Sequence, residues 1–251
     1  VRYRTTPSAG EGKTRFSDRA QSYAAHRPGY PKAAIDALLR GLGAEDRLVV
    51  ADVGAGTGIS ANLLAQRVAS VVAVEPNAHM RERAQARPNV RWEEGTAEAL
   101  PLPDKSVDVA VAFQAFHWFD PQRAFDEFSR VARSRAALVQ YERDELQPFS
   151  AAYAAIVRRY AIDDTEALRM RTLETFSALA GSNVRRAVVP YKQTLTLQGV
   201  IGRVDSSSYL PRDGQAAGEL RAEMRALFDR FQRGGVVEMA MNVFVLAADV
   251  S

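Results

Sequence analysis

Val49-Val50-Ala51-Asp52-Val53-Gly54-Ala55-Gly56-Thr57-Gly58 is the stretch that decides the fold. A branched apolar run leads straight into three glycines at alternate positions, which reads as a buried parallel strand ending in a tight turn. Glycine is needed where the chain takes φ > 0 or where a ligand must touch backbone. Ile59, Ala61, Leu63, Leu64 and Val68 then recur at helical spacing, so a helix follows the turn. Strand, glycine-rich turn and helix together make a cradle for a nucleoside-like ligand.

Spacing narrows the ligand. A dinucleotide site wants G-x-G-x-x-G, the third glycine allowing close helix–strand packing. Gly54 and Gly56 fit, but Ile59 stands where that third glycine belongs, and the pattern is G-x-G-x-G. Further on, a second apolar strand (Val71, Val72, Ala73, Val74) ends in Glu75-Pro76-Asn77. A carboxylate at the tip of the second strand can accept hydrogen bonds from both ribose hydroxyls, so the combination points to an adenosine cofactor.

Three motifs in order, Asp52 to Gly58, Val74 to Asn77, and Gly95 to Asp108 (GTAEALPLPDKSVD), resemble a class I S-adenosylmethionine (SAM) dependent methyltransferase with a methyltransferase type 11 domain. Phe16 to Pro31 (FSDRAQSYAAHRPGYP), Gln114 to Phe119, and Gly199 to Pro211 (GVIGRVDSSSYLP) are similar to the small-molecule branch that includes trans-aconitate methyltransferase-like proteins. The resemblance spans residues 16–247. It implies an α/β fold: a three-layer, doubly wound, seven-stranded and mostly parallel sheet, Rossmann-like, with its last strand antiparallel. It also implies SAM as cofactor and S-adenosylhomocysteine as product.

Composition sets outer bounds. The chain has 251 residues, 47% apolar and 25% charged, which suits one α/β domain. Residues 1–15 read as a flexible tail and 16–251 as the methyltransferase domain. No apolar run approaches the ~18 residues of a membrane span, and the polar N-terminus lacks the apolar core of a secretory signal. With no cysteine there are no disulfides or thiolate ligands, and His26, His79 and His117 are too scattered for a zinc site, so no metal is expected. A cytoplasmic location is the simplest expectation. Net charge is +3, yet the basic groups Arg81/Arg83/Arg87 and Arg130/Arg133/Arg135 are diluted by Glu82, Asp126 and Glu127. They read as solvated helix faces, and no nucleic-acid partner is expected.

Along the chain, helices are expected over 16–25 and 33–42. Strands are expected near 47–53, 71–75, 89–93, 107–113 and 136–141, with helices near 57–67, 77–86 and 121–133 between them. The alternation stops after Tyr141. Residues 149–181 show only helical pattern and read as a cap over the strand ends, an insertion at about 146–183. Strands near 184–197 and 236–247 flank a helix at about 215–232.

The resemblance assigns parts of the site. The turn Gly54-Ala55-Gly56-Thr57-Gly58 lets backbone approach the methionine and ribose of SAM. Asp52 orients that turn, meets the cofactor ammonium through water, or caps the next helix. Glu75, with Pro76 beside it, holds the ribose diol. Thr96 and Ala97 belong to the adenine loop. Many relatives carry aspartate at the position of Thr96, and a hydroxyl accepts without charge. Glu98 faces solvent or caps locally. Phe113 and Gln114, past the fourth strand, lie near the methionine, and His117 and Trp118 nearer the acceptor. His117 is a candidate general base or a packing residue. Tyr23, Arg27 and Tyr30 belong to a leading segment that closes the site, and Tyr209 and Ser206 to Ser208 are candidates for the acceptor pocket, the serines alternatively for helix capping.

The leading expectation is methyl transfer from SAM to an O, N or C nucleophile on a small molecule (EC 2.1.1.-). The alternatives are a methyltransferase acting on tRNA, rRNA or protein, and a SAM-binding module without transfer activity. An NAD-dependent oxidoreductase is disfavoured by Ile59 and by the lack of a catalytic Tyr-x-x-x-Lys set.

Overall fold

The computed structural model describes residues 29–250. The expected first strand is β1 (Val49–Val53), preceded by helix α1 (Lys32–Leu39). Side chains of a strand alternate between faces. Val50 accordingly packs in the core on one side of the sheet, and Ala51 and Val53 pack on the other. From β1 the chain runs through α2 (Ile59–Leu64), β2 (Ser70–Val74), α3 (Ala78–Arg81) and β3 (Val90–Glu93). It then returns to the middle of the sheet as β4 (Val107–Phe113), α4 (Pro121–Val131) and β5 (Ala132–Arg143).

Two helices follow, α5 (Pro148–Tyr160) and α6 (Thr165–Ala180). Then come β6 (Val184–Leu195), α7 (Leu197–Asp205), α8 (Gly214–Phe231) and β7 (Val237–Asp249). The seven strands lie in the order β3-β2-β1-β4-β5-β7-β6. β1 to β5 pair in parallel, and β7 is inserted antiparallel to both β5 and β6. One core holds α1, α2, α5 and α8 against the sheet through Leu38, Leu64, Val157 and Met224. The other holds α4 and α6 through Phe128 and Phe176. These are the three layers of a doubly wound fold. Strand order reverses between β1 and β4, and ligands of such sheets sit beyond the carboxyl ends of the strands at that point.

Several element bounds differ from expectation. β5 begins at Ala132, so the preceding helix stops two residues short of 133. Its first residues carry no apolar alternation; pairing decides them, with Ala132 opposite Val107 and Arg135 opposite Asp249. α3 buries only Met80 and ends at Arg81, and the following Glu-Arg-Ala-Gln-Ala-Arg stretch offers no buried side chain to anchor a further turn. α7 occupies residues where no helix was expected. Thr196 caps it by accepting from Gly199 N at 3.2 Å, and Val200 and Val204 bury its inner face. Ser206 and Ser207 therefore sit at the C-terminal end of a helix, where both hydroxyls donate to Arg203 O at 2.9 Å. They are not N-caps. The helix expected over 16–25 lies outside the described residues.

Candidate active site at the strand tips

The three glycines after β1 all have positive φ, 72°, 58° and 84° at Gly54, Gly56 and Gly58. Their reasons differ. A Cβ on Gly54 would lie 2.7 Å from Ala115 Cβ and 3.0 Å from Phe119 Cζ, so this glycine lets the turn approach the chain after β4. A Cβ on Gly58 would press on Trp92 at 3.0 Å. Among the described residues a Cβ on Gly56 would meet nothing within 4 Å and would stand in the cavity that Gly56 lines. Gly56 is thus the one whose missing side chain leaves room for a ligand. Gly54 lines the same cavity, while Ala55 and Gly58 do not.

Glu75 follows the end of β2 and is 8% exposed. Its Oε2 accepts from Gly56 N and its Oε1 from Asn77 N, both at 2.9 Å. Burial pushes its pKa above the ordinary carboxylate value, against the pull of those two amides. Glu75 is therefore both a wall of the cavity and the clamp that sets the glycine turn. Each oxygen keeps a further lone-pair direction for a diol. Pro76 and Met80 extend this wall.

Asp52 is fully buried under the turn and does not line the cavity. Its Oδ2 accepts from Ser60 Oγ at 2.6 Å, tying the strand to the start of α2. Among the described residues its Oδ1 makes no hydrogen bond of normal geometry, although the Ala61 amide lies near enough to favour the charged form. Burial, with some repulsion from Glu75, pushes its pKa up to about 7 despite the Ser60 bond.

The loop after β3 brings Gly95, Thr96, Ala97 and Glu98 to the cavity. It is pinned to α4: Leu100 N donates to Glu127 Oε2 at 2.6 Å, and Arg130 donates to Leu102 O and Leu100 O at 2.8 and 3.2 Å. Glu98 accepts from Asp120 N at 3.0 Å, which fixes the start of α4.

Past β4, Phe113 and Gln114 line the cavity. Gln114 holds φ of +51°, a conformation rare for a residue with a side chain. Its amide exchanges hydrogen bonds with the Tyr141 backbone, accepting from Tyr141 N at 3.2 Å and donating to Tyr141 O at 3.3 Å. The side chain so continues the β4–β5 ladder where the backbone has turned away. A short 3₁₀ turn, Phe116–Trp118, follows. Phe116 packs edge-on against Phe128 and Phe176 in the core. His117, Trp118 and Phe119 face the cavity. Tyr30 packs edge-on against Phe113, with ring centroids 4.8 Å apart, but does not line the cavity. Tyr23 and Arg27 lie outside the described residues.

The far side of the cavity is made by the end of β5 and by α5, α6 and α7. Tyr141, Arg143, Tyr153, Thr165, Arg169 and Arg203 line it, with Ser206 to Tyr209. The three arginines escape sequence reading because each is isolated in its own segment; only their burial and common cavity connect them. The space between the strand tips and these helices is about 1320 Å³ including its open mouth.

The cradle at Gly56, the buried Glu75 and the sheet order define a class I SAM-dependent methyltransferase, and the chain belongs to that family. The methyltransferase domain family matches residues 51–139. An uncharacterised methyltransferase of Mycobacterium tuberculosis is 38% identical over 199 residues, covering 77% of this chain and 76% of that protein. An uncharacterised methyltransferase-like protein of Schizosaccharomyces pombe is 28% identical over 78% of each chain. Among solved structures, a candidate type II methyltransferase from Anaeromyxobacter dehalogenans has a TM-score of 0.68 and 25% identity, covering 89% of this chain and 98% of that one. Among the described residues no helix is long and apolar enough to cross a membrane.

Proposed function

We propose that the chain transfers a methyl group from SAM to a small-molecule acceptor. The observation that carries this reading is the single cavity joining the Gly56–Glu75 cradle to a roof built from α5, α6 and α7. A roofed cavity admits a compact acceptor more readily than a folded polymer. SAM, when bound, supplies a methyl carbon on a positively charged sulfur, already activated toward a nucleophile.

The residues present suit that cofactor. Gly56 leaves space for it, and Glu75 offers a charged acceptor to the ribose hydroxyls. Pro76, Thr96 and Ala97 wall the adenine side, and Phe113 and Gln114 the methionine side. Asp52 acts beneath the turn, keeping Gly54 to Gly58 in place through Ser60. His117 and Trp118 stand nearer the acceptor. His117, whose side-chain type titrates near neutral pH, is the candidate to take a proton from the acceptor. Positioning by the cavity walls contributes to rate whether or not a base is used.

Transfer of a radiolabelled methyl group into metabolite pools, with mass spectrometry of the products, tests the reading. Label in a small product supports it. Label appearing only in tRNA, rRNA or protein would replace it with a polymer methyltransferase. Binding of S-adenosylhomocysteine without any transfer would leave a cofactor-binding module.

A further inference from the structure

Methyl transfer as outlined leaves the three arginines at the roof of the cavity without a task. Arg143 ends β5, Arg169 is in α6 and Arg203 is in α7. The side chains of Arg143 and Arg169 are each 9% exposed, and Arg203 is 7% exposed. Buried cations are ordinarily paired. Here one carboxylate, Glu166, serves two of them: it bonds Arg143 Nη2 and lies 3.8 Å from Arg169 Nη2. Glu145 nearby is held by Arg158, through both of its oxygens at 2.7 Å. Arg203 has only neutral partners among the described residues: Gln193 Oε1, Met241 Sδ at 3.9 Å, and the Tyr141 ring at 6.0 Å. Counting Arg143, Arg158, Arg169 and Arg203 against Glu145, Glu166 and the buried Asp163, which accepts from Thr165 N at 2.8 Å, the described residues at this end hold one more guanidinium than carboxylates.

Position separates this charge from the cofactor cradle. Gly56 follows β1 and Glu75 follows β2, whereas Arg143 ends β5, two strands beyond β1 on the other side of β4. At about 4.8 Å per strand, that places it roughly 10 Å across the sheet from the β1 tip. His117, after β4, falls between.

We propose that the Arg143–Arg169–Arg203 end of the cavity binds an oxyanion of the methyl acceptor, a carboxylate or a phosphate. The inference rests on the methyl-transfer reading of the same cavity. Guanidinium forks match the planar oxygen pairs of such groups. Arg143 is tied to Glu166, and Arg169 lies beside Glu166 and donates to Tyr141 O at 3.1 Å, so both shape the pocket. Arg203, with no carboxylate of its own, is the group an acceptor anion would pair with.

Calorimetry with S-adenosylhomocysteine, and methyl transfer into a small-metabolite extract split at neutral pH on a strong anion exchanger, test this. The parent should bind S-adenosylhomocysteine, and label should enter the retained fractions. Label entering only the unretained fraction would overturn the anion site and spare the methyltransferase reading. A parent that binds no S-adenosylhomocysteine, or one that binds it and labels no fraction, would remove both. Phosphatase treatment of an active fraction distinguishes the two sources: loss of acceptor means a phosphate, retention a carboxylate. Arg203→Gln should raise the acceptor KM at least tenfold while leaving S-adenosylhomocysteine affinity unchanged. Arg203→Lys, which keeps charge but not the fork, should fall between and serves if the glutamine variant fails to fold. Equal weakening of S-adenosylhomocysteine in either variant would assign the guanidinium to the cofactor and overturn the proposal.

Discussion

Replacing Glu75 with alanine tests the cradle most directly, because one carboxylate there performs two tasks. Its oxygens hold Gly56 N and Asn77 N at 2.9 Å. Hydrogen bonds to charged groups contribute about 1.5–3 kcal/mol each, so the pair supplies roughly 3–6 kcal/mol. Against this stands the desolvation of a buried carboxylate, several kcal/mol, which is also what raises its pKa. A net loss of about 2 kcal/mol is expected, or roughly 4–8 °C in Tm for a domain of this size. Binding should suffer separately. Losing the ribose contacts should cost about 1.5–3 kcal/mol, a roughly 10- to 150-fold rise in Kd for S-adenosylhomocysteine. Glu75→Gln keeps the length and one acceptor oxygen but cannot accept from both amides, so it should fall between parent and alanine in both measurements. Calorimetry and thermal unfolding on the three proteins decide the matter. A Glu75→Ala protein with parental Tm and parental affinity would refute the clamp and the ribose assignment together.

Gly54→Ala and Gly56→Ala should separate fold from binding. The first forces a Cβ to 2.7 Å from Ala115 and should lower stability by about 2–4 kcal/mol from overpacking and positive φ together; the second should cost only the ~1–2 kcal/mol of left-handed backbone yet weaken S-adenosylhomocysteine strongly, and parental affinity there would place the ligand elsewhere. Asp52 has a folded pKa of about 7 against an ordinary 3.8, so the folded state holds that proton more tightly and the residue's contribution to stability declines as pH rises from about 4 to about 7. Urea unfolding of parent and Asp52→Asn at about pH 5 and about pH 7.5 should show the decline shrinking in the variant; identical pH dependence would contradict a protonated Asp52. His117→Ala should lower turnover by about 10²–10⁴-fold with S-adenosylhomocysteine affinity nearly intact, and should abolish the acidic limb of the rate profile. Parental turnover with an unchanged profile would eliminate the base role.

Much of the cradle was legible in the chain because its chemistry is local. A turn that must touch a ligand with backbone needs glycines within a few residues, and the strand and helix around it announce themselves by apolar period. The carboxylate that follows β2 is readable for the same reason. The serines at 206–208 show the limit. Their placement depends on α7, a helix with glycines at 199 and 202 and little intrinsic signal, held by the Thr196 cap and by packing of Val200 and Val204.

By itself, then, the order of strands, helices and glycines determined an α/β fold with a glycine turn after its first strand, and it named Gly54, Gly56 and Glu75, which the structure places in the cavity wall, along with Asp52, Ala55 and Gly58, which it does not. Those features depend on period and spacing, which the chain carries in short windows. Tertiary structure alone decided that Gly54, Gly56 and Gly58 exist for three different reasons, since each depends on what stands opposite: Ala115, open cavity and Trp92. It alone turned Glu75 inward to clamp the glycine turn. It also brought Arg143, Arg169 and Arg203 into one wall, from β5, α6 and α7. Such convergence has no sequence period, because the fold brings together residues separated by whole elements, and their charge becomes significant only once burial removes the water around it.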